Sequence, residues 1–519
     1  MGDLFRGIKM KKFSKKFLCF ILSSSLVTSS FLISSTLESK AFQSTSNINN
    51  EADFVNTDFT LSELKDSLGS TELMNLATID DISNYLSSNE INSSTSNTLP
   101  ISIDNSETKY FPKIGNQGNV GSCNSWATVY YQMTYSINKA LDRNASQDEH
   151  IMSPTWIYTL TNKGINYGSY YSDVLKVLSE IGSVSITHVP IITKGSTKNV
   201  RNIRASKDFW LEASKYRVKE YYSIGSEIDT DIVDPTLTKY TSDDILSIKK
   251  ALAMGEILSV STHNKRWSKS SIKDIYNNDA NIKYKGEKII TRVAGKDKST
   301  HRLTIVGYND DIIVDINKNG TIEDGEKGAF KLANSWGTST DNKGYIWMCY
   351  DALLIESLID TNKFRNANRT VGFYNIIGFT VDIDSTDDPY YAAIDVQTKD
   401  LESLKIEITA TDAYGNTSTF NPAPFNNALK NGLGPYPFNT KNGGDRGEFY
   451  IDLTNVAPNL YQNNFNDFKW EFKITDTSTK KDIIIHSIKI YDKNNDSLSN
   501  SIIDNPITLN NNSINVCSK

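Results

Sequence analysis

The stretch Gln117–Thr128, QGNVGSCNSWAT, places one cysteine, Cys123, among glycine, serine and asparagine residues. The chain has only four cysteines in 519 residues, and their wide spacing is not that of a disulfide framework. A lone cysteine is usually a small buried apolar residue. If Cys123 is instead a nucleophile, the sequence must also supply a base, a group that orients this base, and an oxyanion donor.

Two histidines, His263 and His301, are candidates for the base. His263 falls in the interval of roughly 130–150 residues that separates cysteine and histidine in some cysteine enzymes. Strand pairing favours His301, because it begins the predicted strand HRLTIVGY, and a second predicted strand, GAFKLAN, returns to end at Asn334. The Asn334 amide would then orient the imidazole. His263 has no such partner and is predicted to be a satisfied histidine or one at a cleft edge.

The oxyanion donor is predicted from the opening stretch itself. Gln117 precedes Cys123 by a short segment in which Gly118 and Gly121 allow a tight loop. The Gln117 amide and the Cys123 backbone N–H would both face a developing oxyanion. A helix that begins at Cys123 and a charged His301 would each favour the thiolate.

The stretches QGNVGSCNSWA, HRLTIVGY and ANSWG…KGYIWM, in this order, resemble the Cys, His and Asn motifs of papain-like cysteine peptidases. The resemblance covers roughly 99–377. It implies an α+β fold with a two-lobed catalytic domain, a helical lobe followed by a β lobe. It also implies that Cys123 is the nucleophile, His301 the acid and base, Asn334 the orienting amide and Gln117 the oxyanion donor.

The same resemblance implies two substrate-binding residues, and it has departures. Trp336 would shield the His–Asn hydrogen bond from water, and Gly168 would lie in the loop that pairs with the substrate backbone. Many relatives have Cys at the position of Val120 and Trp at the position of Asn124. Trp126 is expected to take the place of the missing aromatic residue.

The N-terminal region predicts export. Basic residues precede the apolar run FLCFILSSSLVTSSFLI, and small residues follow at Ser39 and Ala41, as in a secretory signal peptide. A permanent membrane span is therefore not expected. The acidic, polar residues 42–98 are interpreted as a pro-segment or a spacer, in which LSELKDSLGSTELMNL places Leu61, Leu64 and Leu68 on one helical face. Export with so few cysteines favours a Gram-positive bacterial source.

A calcium site is predicted in the turn between the His and Asn strands, DINKNGTIEDGE. Counted from Asp315, the turn matches the calcium-loop template, with Gly320 at the sharp bend. The predicted ligands are Asp315, Asn317, Asn319, Thr321, Glu323 and Glu326. Seven residues of strand would separate the ion from the thiol by about 23 Å, so the Ca2+ is expected to be structural, with no catalytic cofactor. A plain Asn/Gly-rich turn is the alternative.

The C-terminal part changes to strands of period two, which predict an all-β sandwich. These strands are LKIEITAT, GEFYIDL, FKWEFKITD and IIIHSIKIYD. The predicted organisation is a signal peptide (1–41), a pro-segment or spacer (42–98), a papain-like domain (99–380), a β-sandwich (381–493) and an Asn/Ser-rich tail (494–519).

The sequence therefore predicts an exported cysteine endopeptidase, made as a zymogen, monomeric, and acting on proteins or peptides. Apart from residues 42–98, the chain after the signal peptide carries almost no net charge. This balance excludes the basic surface of a nucleic-acid-binding protein. The alternative is a surface adhesin or glycan-binding protein, in which the sandwich binds a glycan or cell-wall ligand. Trp470, Tyr491 and the stretch GLGPYPFN would then form a stacking platform, although they are also read as core residues and a turn.

Overall fold

The computed structural model describes residues 73–76, 99–162, 166–195, 207–225, 240–354, 357–359, 370–383, 390–399, 403–425, 446–456, 468–479, 482–492 and 497–518. The chain divides into Met1–Asn50 and Glu51–Lys519, and all described residues belong to the second unit. The predicted signal peptide and all of 42–98 except Leu73–Leu76 lie outside the described residues.

The helices lie mainly before the strands of the hairpin that carries His301. Cys123 opens a continuous helical stretch, in which α1 (Cys123–Ser125) leads through a π-helical segment (Trp126–Met133) into α2 (Thr134–Ala140). Every residue of the π-helical segment is buried. The other helices are α3 (Pro154–Thr161), α4 (Tyr171–Glu180), α5 (Lys207–Ala213), α6 (Ser242–Ala253) and α7 (Asp279–Lys283).

Short-range hydrogen bonds explain where two of these helices begin. At α6 the Thr241 hydroxyl accepts from the Asp244 N–H, and the Asp244 carboxylate accepts from the Thr241 N–H, which makes a capping box. At α3 the Ser153 hydroxyl accepts from the Trp156 N–H, and Pro154 occupies the first helical position. Because these signals are local, the sequence predicts such helix starts well.

A ten-stranded mixed sheet forms the centre of the described region. Its strands are β1 (Leu73–Leu76), β2 (Ser102–Asp104), β3 (Tyr216–Ile224), β4 (Leu258–Thr262), β5 (Trp267–Ser271), β6 (Lys288–Val293), β7 (His301–Ile313), β8 (Lys327–Ala333), β9 (Tyr345–Cys349) and β10 (Tyr374–Ile383). The strand order is β1-β3-β10-β4-β7-β8-β9-β6-β5, and β2 also pairs with β7. The first nine residues of β7 are all buried, as expected for a strand covered on both faces.

The hairpin of β7 and β8 is longer than the sequence predicts. Thr304 lies opposite Ala333, and Ile313 lies opposite Lys327, with two register shifts between them. With 13 residues, β7 spans about 40 Å at roughly 3.3 Å per residue. The expected separation of about 23 Å between the turn and the thiol is therefore too short.

Two smaller sheets follow, here called the C-terminal sheets (390–517). Their strands are β11 (Tyr390–Gln397), β12 (Leu404–Thr411), β13 (Thr417–Phe420), β14 (Arg446–Asp452), β15 (Lys469–Asp476), β16 (Ile483–Asp492), β17 (Ser497–Ile503), β18 (Ile507–Leu509) and β19 (Ser513–Cys517). One sheet has the order β14-β11-β16-β17, with β18 also on β16, and the other has the order β13-β12-β15-β19. Buried residues alternate with half-buried ones along β12, as the period-two pattern predicts.

The predicted tail is wrong for most of its length. Residues 497–517 contain β17, β18 and β19, which pair with β16 and β15. Ile503 and Leu509 are buried, whereas most Asn and Ser residues of this stretch are exposed or half-buried. A strand at a sheet edge can carry polar residues because its partner supplies the apolar contacts, so composition alone does not identify a tail.

The C-terminal sheets and the helices share one apolar cluster. It includes Trp156 and Leu175 from the helices and Trp470 and Phe472 from β15. Trp470 is fully buried, so it is a core residue and not part of an exposed stacking platform. The stretch GLGPYPFN, also considered for that platform, lies outside the described residues.

Two further expectations about order and type are corrected. Leu73–Leu76 form β1, which pairs in parallel with β3, so this end of the predicted helical face is a strand. Strands β2 and β3 precede α6, so helices and strands are interleaved more than the sequence predicts. The fold is mixed α+β, with helices and several sheets. In the described part of the chain, no helix has both the length and the apolar character needed to cross a membrane.

Candidate active site

The loop before Cys123 is tight because two glycines meet backbone atoms closely. Gly118 has a φ of +63°, and a Cβ there would lie 1.9 Å from the Thr193 carbonyl oxygen. A Cβ on Gly121 would lie 3.0 Å from the Gly168 nitrogen. Side chains at these two positions would push the loop away from its neighbours. Gly168, predicted to bind substrate backbone, therefore lies directly beside the Cys123 loop.

Cys123 is the first residue of α1 and is fully buried. The Ser122 N–H donates to the Val120 carbonyl at 2.8 Å, and the Trp126 N–H donates to the Ser122 carbonyl at 2.9 Å, so the chain turns directly into the helix. Helix α1 packs against β7, the strand that begins at His301. The thiol is thus held at a helix N-terminus, where the aligned peptide dipoles favour a negative charge.

His301 and Asn334 are joined by a hydrogen bond of 2.8 Å between Nε2 and Oδ1. The Ser335 backbone N–H, which can only donate, also contacts this Asn334 oxygen at 2.7 Å. Asn334 therefore presents its carbonyl oxygen to the ring, and His301 Nε2 must carry the proton. This fixes the tautomer and leaves Nδ1 as the ring nitrogen for proton exchange.

Trp336 covers the imidazole. Its ring stacks on His301 with centroids 4.4 Å apart and planes inclined by 22°. The backbone of Asn334 is held at two further points. Its backbone carbonyl accepts from the Tyr131 hydroxyl at 2.7 Å, and its backbone N–H donates to the Gly344 carbonyl at 2.9 Å. The His–Asn pair is therefore buried and fixed in orientation.

Gln117 is fully buried and tied to the residue after Asn334. Its side-chain Oε1 accepts from the Ser335 hydroxyl at 2.5 Å, and its backbone N–H donates to the Ser335 carbonyl at 2.8 Å. One hydrogen of its side-chain amide donates to the Val120 carbonyl at 2.8 Å. The structure thus ties Gln117 to Ser335 and His301 to Asn334, while Cys123 begins the helix that packs against β7.

His263 lies one residue beyond Thr262, which pairs with His301 across β4 and β7. It is 3% exposed, its Nδ1–H donates to the Ser299 carbonyl at 3.2 Å, and its ring packs on Tyr374 with centroids 5.2 Å apart. The Nδ1 atom of His263 therefore has a backbone partner, which is the contact on which its interpretation as a satisfied histidine depends.

The predicted calcium loop follows β7 and ends in a 3-10 turn, Asp324–Glu326. The Asp315 carboxylate accepts from the N–H groups of Asn319 (3.1 Å) and Gly320 (3.0 Å), and Gly320 has a φ of +82°. Glu326 Oε1 accepts from the Ile316 N–H at 2.5 Å. The other predicted ligands also form hydrogen bonds within the loop. The side-chain oxygens of Asn317 and Asn319 accept from the backbone N–H groups of Asn319 and Thr321, respectively. The Glu323 carboxylate accepts from the side-chain amides of Asn317 and Asn319.

The charge of this loop bears on whether it fits a cation. Burial raises the pKa of Glu326, and the Asp315 carboxylate adds to the rise, while three backbone N–H groups oppose it. No group of three or more His, Cys, Asp or Glu side chains in the described residues is arranged to hold a metal ion. A cation here would therefore need amide and backbone oxygens as well as carboxylates, which is the ligand set of the calcium-loop template.

The two other described cysteines have different surroundings. Cys349 is buried in β9, and burial raises the pKa of its thiol. Cys517 is exposed at the end of β19, where its thiol lies 3.6 Å from the Glu471 carboxylate. Cys349 is thus a core residue, as expected. Cys517 is an exposed thiol, so its substitution can serve as a control for the substitution of the buried Cys123.

Sequence reasoning missed three residues of this region. Ser335 links Gln117 to Asn334, Tyr131 holds the Asn334 backbone, and Arg302 is buried beside His301. Only Arg302 left a signal in the sequence, as a charged residue inside the apolar run HRLTIVGY. The other two contacts connect segments far apart in the chain and could not be read from spacing.

No protein-family model and no curated protein matches this sequence. Among solved structures, xylellain, a cysteine protease from Xylella fastidiosa, is 16% identical with a TM-score of 0.37, covering 64% of this chain and 98% of that chain. Digestive procathepsin L 3 of Tenebrio molitor larval midgut is 14% identical with a TM-score of 0.34, covering 71% and 99%. Bromelain from Ananas comosus is 16% identical with a TM-score of 0.32, covering 54% and 99%. These structural neighbours are papain-like cysteine proteases.

Proposed function

We propose that residues 99–380 are a papain-like cysteine endopeptidase domain that hydrolyses peptide bonds through Cys123, His301 and Asn334. The observation that carries the proposal is the 2.8 Å hydrogen bond from His301 to Asn334 beneath the Trp336 ring, with His301 on β7, the strand against which α1 packs. A buried imidazole with a fixed tautomer beside a thiol at a helix start is the arrangement that nucleophilic catalysis by cysteine needs.

In the proposed reaction, His301 Nδ1 takes the proton of the Cys123 thiol, and the thiolate attacks the scissile carbonyl carbon. The imidazolium keeps its Nε2–H on Asn334 Oδ1, which holds the ring in position and stabilises its charge. The same Nδ1–H then protonates the leaving amine. Water activated by His301 hydrolyses the thioester and restores the thiol.

The oxyanion of the tetrahedral intermediate would be held by two N–H donors. One is the Cys123 backbone N–H, which as the first helical residue has no intrahelical acceptor. The other is the second amide hydrogen of Gln117, whose side chain is fixed by Ser335 and Val120. Gly168, beside Gly121, is the proposed contact for substrate backbone.

The decisive test compares cysteine variants of the whole chain with a casein digest and a fluorogenic peptide. Cys123→Ala should remove hydrolysis, whereas Cys517→Ser should keep it, because the Cys517 thiol is exposed on β19. A thiol-alkylating reagent should inactivate the wild type and add one label that is absent from a Cys123→Ala digest. Full activity of Cys123→Ala would overturn the proposal.

The two histidines provide a second comparison. His301→Ala should abolish turnover because thiol and imidazole act as a unit. His263→Ala should keep most activity, since its Nδ1–H already donates to the Ser299 carbonyl. The reverse result would transfer the base to His263.

Export as a zymogen is part of the proposal, with 42–98 as the pro-segment. The Tyr308 hydroxyl donates to the Pro100 carbonyl at 2.6 Å, and β2 pairs with β7, so the segment from Pro100 to β2 is held by the sheet. N-terminal sequencing of the active form should give a start near Leu99, and this cleavage would separate β1 (Leu73–Leu76), which pairs with β3, from the rest of the chain. An active form that keeps 42–98 would make this region a spacer.

A structural Ca2+ in the loop between β7 and β8 is also proposed. Its support is the contact of Asp315 with the N–H groups of Asn319 and Gly320, together with the left-handed φ at Gly320. Each Asp315 carboxylate oxygen accepts one of these N–H groups and keeps a further lone pair for a cation. With about 40 Å of β7 between the loop and His301, the ion would stabilise the hairpin and take no part in proton transfer.

A further inference from the structure

Arg302, the residue after His301, is a buried cation beside the candidate active site. Its side chain is 1% exposed. Nη1 donates to the Ser261 hydroxyl at 2.9 Å, and Nη2 donates to the Ser259 hydroxyl at 2.9 Å and to the Asn375 carbonyl at 3.2 Å. The guanidinium also lies over the Tyr171 ring, 5.0 Å from its centroid.

All of these partners are neutral. No carboxylate among the described residues forms an ion pair with Arg302, and its buried Nε has no hydrogen-bond acceptor within the same residues. Burial lowers the pKa of Arg302 to about 10, so the side chain is still a cation at neutral pH. A buried charge is usually paired, because removing it from water is costly and neutral acceptors offset only part of the cost.

Arg302 lies where the helices meet the large sheet. Tyr171 begins α4 directly after the loop that contains Gly168, whereas Ser259 and Ser261 are on β4 and Asn375 is on β10. The titratable groups that face the guanidinium are Tyr171, Tyr374 and Cys123. Arg302 thus lies between the helices and the large sheet, and its guanidinium faces the Cys123 thiol.

Its burial does not remove it from contact with a substrate. Cys123 and His301 are each 0% exposed, slightly less than Arg302. The proposed function requires both of them to reach a peptide. A peptide that reaches the Cys123 thiol would therefore come close to the guanidinium that faces this thiol.

We propose that Arg302 is a specificity-determining residue that binds the carboxylate of an acidic side chain of the substrate. This inference rests on the proposed peptidase function and names the class of substrate for it. A guanidinium that forms no ion pair with a carboxylate of the described residues can take a substrate Asp or Glu by charge-assisted hydrogen bonds. Ser259 and Ser261 hold the cation in place without neutralising it.

Two other roles are outcomes of the test. Arg302 could serve only to stabilise the Cys123 thiolate, or only to tie β4, β7 and β10 together through its four hydrogen bonds, which include one from Nη2 to the Ser259 carbonyl at 3.3 Å. In either case its loss would slow every peptide alike. Recognition of an acidic side chain instead predicts a loss confined to peptides that carry the carboxylate.

The experiment uses peptides that differ only by Glu or Gln at one position near the scissile bond, with each position tested in turn. For the wild type, we expect one position at which Glu raises kcat/KM over Gln by roughly 10- to 100-fold, the range for a hydrogen bond to a charged group. Arg302→Met should reduce this ratio to about twofold or less, with the Gln peptide cleaved at nearly the wild-type rate. Arg143→Met is the control, since Arg143 contacts Asn138 and the Tyr216 ring and should leave the ratio unchanged.

Two measurements keep the test decisive if Arg302→Met does not fold. In the wild type, the Glu preference should fall as the pH drops through the glutamate pKa of about 4.3, because the protonated side chain loses its charge. Cys123→Ala should bind the Glu peptide more tightly than the Gln peptide, which decides the inference even if no peptide is hydrolysed. Absence of a Glu preference at every position, or an equal loss on both peptides in Arg302→Met, would overturn it. Absence of any Cys123-dependent hydrolysis would count against the proposed function alone.

Discussion

The state of the His301 ring depends on a single backbone group. Because the Ser335 N–H can only donate, it identifies the Asn334 oxygen, and that oxygen in turn requires a proton on His301 Nε2. The Trp336 ring stacks on this imidazole, with centroids 4.4 Å apart. In the proposed reaction, Asn334 is therefore a positioning residue: it would act on the substrate only through the imidazole.

Asn334→Ala should reduce turnover without abolishing it. The base and the thiol remain, but the ring loses the acceptor that fixes its tautomer. We expect kcat/KM to fall roughly 10- to 100-fold, less than the full contribution of about 10²–10⁴ from general acid–base catalysis, because the base itself remains. Steady-state kinetics would measure this, with Asn416→Ala in an exposed turn of the C-terminal sheets as the control. A loss as complete as that of Cys123→Ala would assign Asn334 a direct role.

At the level of single residues, the sequence was sufficient where strand order decides position. His301 and Asn334 could be paired because each stands at the end of a strand in one hairpin. Arg302 could not be evaluated in this way, because its importance lies in the absence of a carboxylate partner within the described structure. The tie between Gln117 and Ser335 depends on two loops that meet only after folding.

Among the elements, the β7–β8 hairpin connects the two predicted sites. One end carries His301 and Asn334, and the other carries the loop from Asp315 to Glu326. The turns of this loop and the cap of α6 are made by hydrogen bonds between neighbouring residues, so local signals in the sequence bear on both. They did not predict the length of β7 or the strands β17–β19, because these depend on pairing with distant strands.

The calcium loop should respond to chelation as a stabilising element. A cation bound only by the folded state raises stability with its concentration relative to the Kd. Removing it with EGTA should lower Tm and increase self-digestion, while initial rates at low temperature stay within about twofold, because the loop is about 40 Å of strand from His301. Thermal unfolding with and without EGTA would measure this.

Variants of the loop separate the ion from the turn. Asp315→Ala or Glu326→Ala should lower Tm and remove the further response to EGTA. Asp412→Ala is the control, since Asp412 also accepts backbone N–H groups in an exposed turn, from Tyr414 and Asn416. An immediate and reversible loss of turnover on chelation, at unchanged Tm, would contradict a structural role.

For the whole molecule, the C-terminal sheets are packed against the helical part of the chain and not merely attached to it. Trp210 of α5 contacts Phe449 of β14 with ring centroids 6.2 Å apart, and the Glu180 carboxylate accepts from the Ala423 N–H at 2.7 Å. Arg217 of β3 forms an ion pair with Asp452 of β14, and both side chains are 9% exposed. Period-two patterning predicted the strands of this region but gave no information about this contact.

The buried ion pair should make a large contribution to stability when one partner is removed. Asp452→Asn keeps an oxygen that can accept from the Thr454 N–H but leaves the Arg217 guanidinium without that carboxylate. We expect the free energy of unfolding to fall by roughly 3–5 kcal/mol. Urea denaturation would measure it, with Asp395→Asn as the control, because its partner Arg446 is 51% exposed and such a pair contributes about 0–1 kcal/mol.

Adding Arg217→Met to Asp452→Asn should restore part of the loss, since no buried charge then remains from the pair. If the double variant is as unstable as the sum of the two single changes, the pair does not couple β3 to β14, and the apolar contact of Trp210 with Phe449 must hold the C-terminal sheets to the helices.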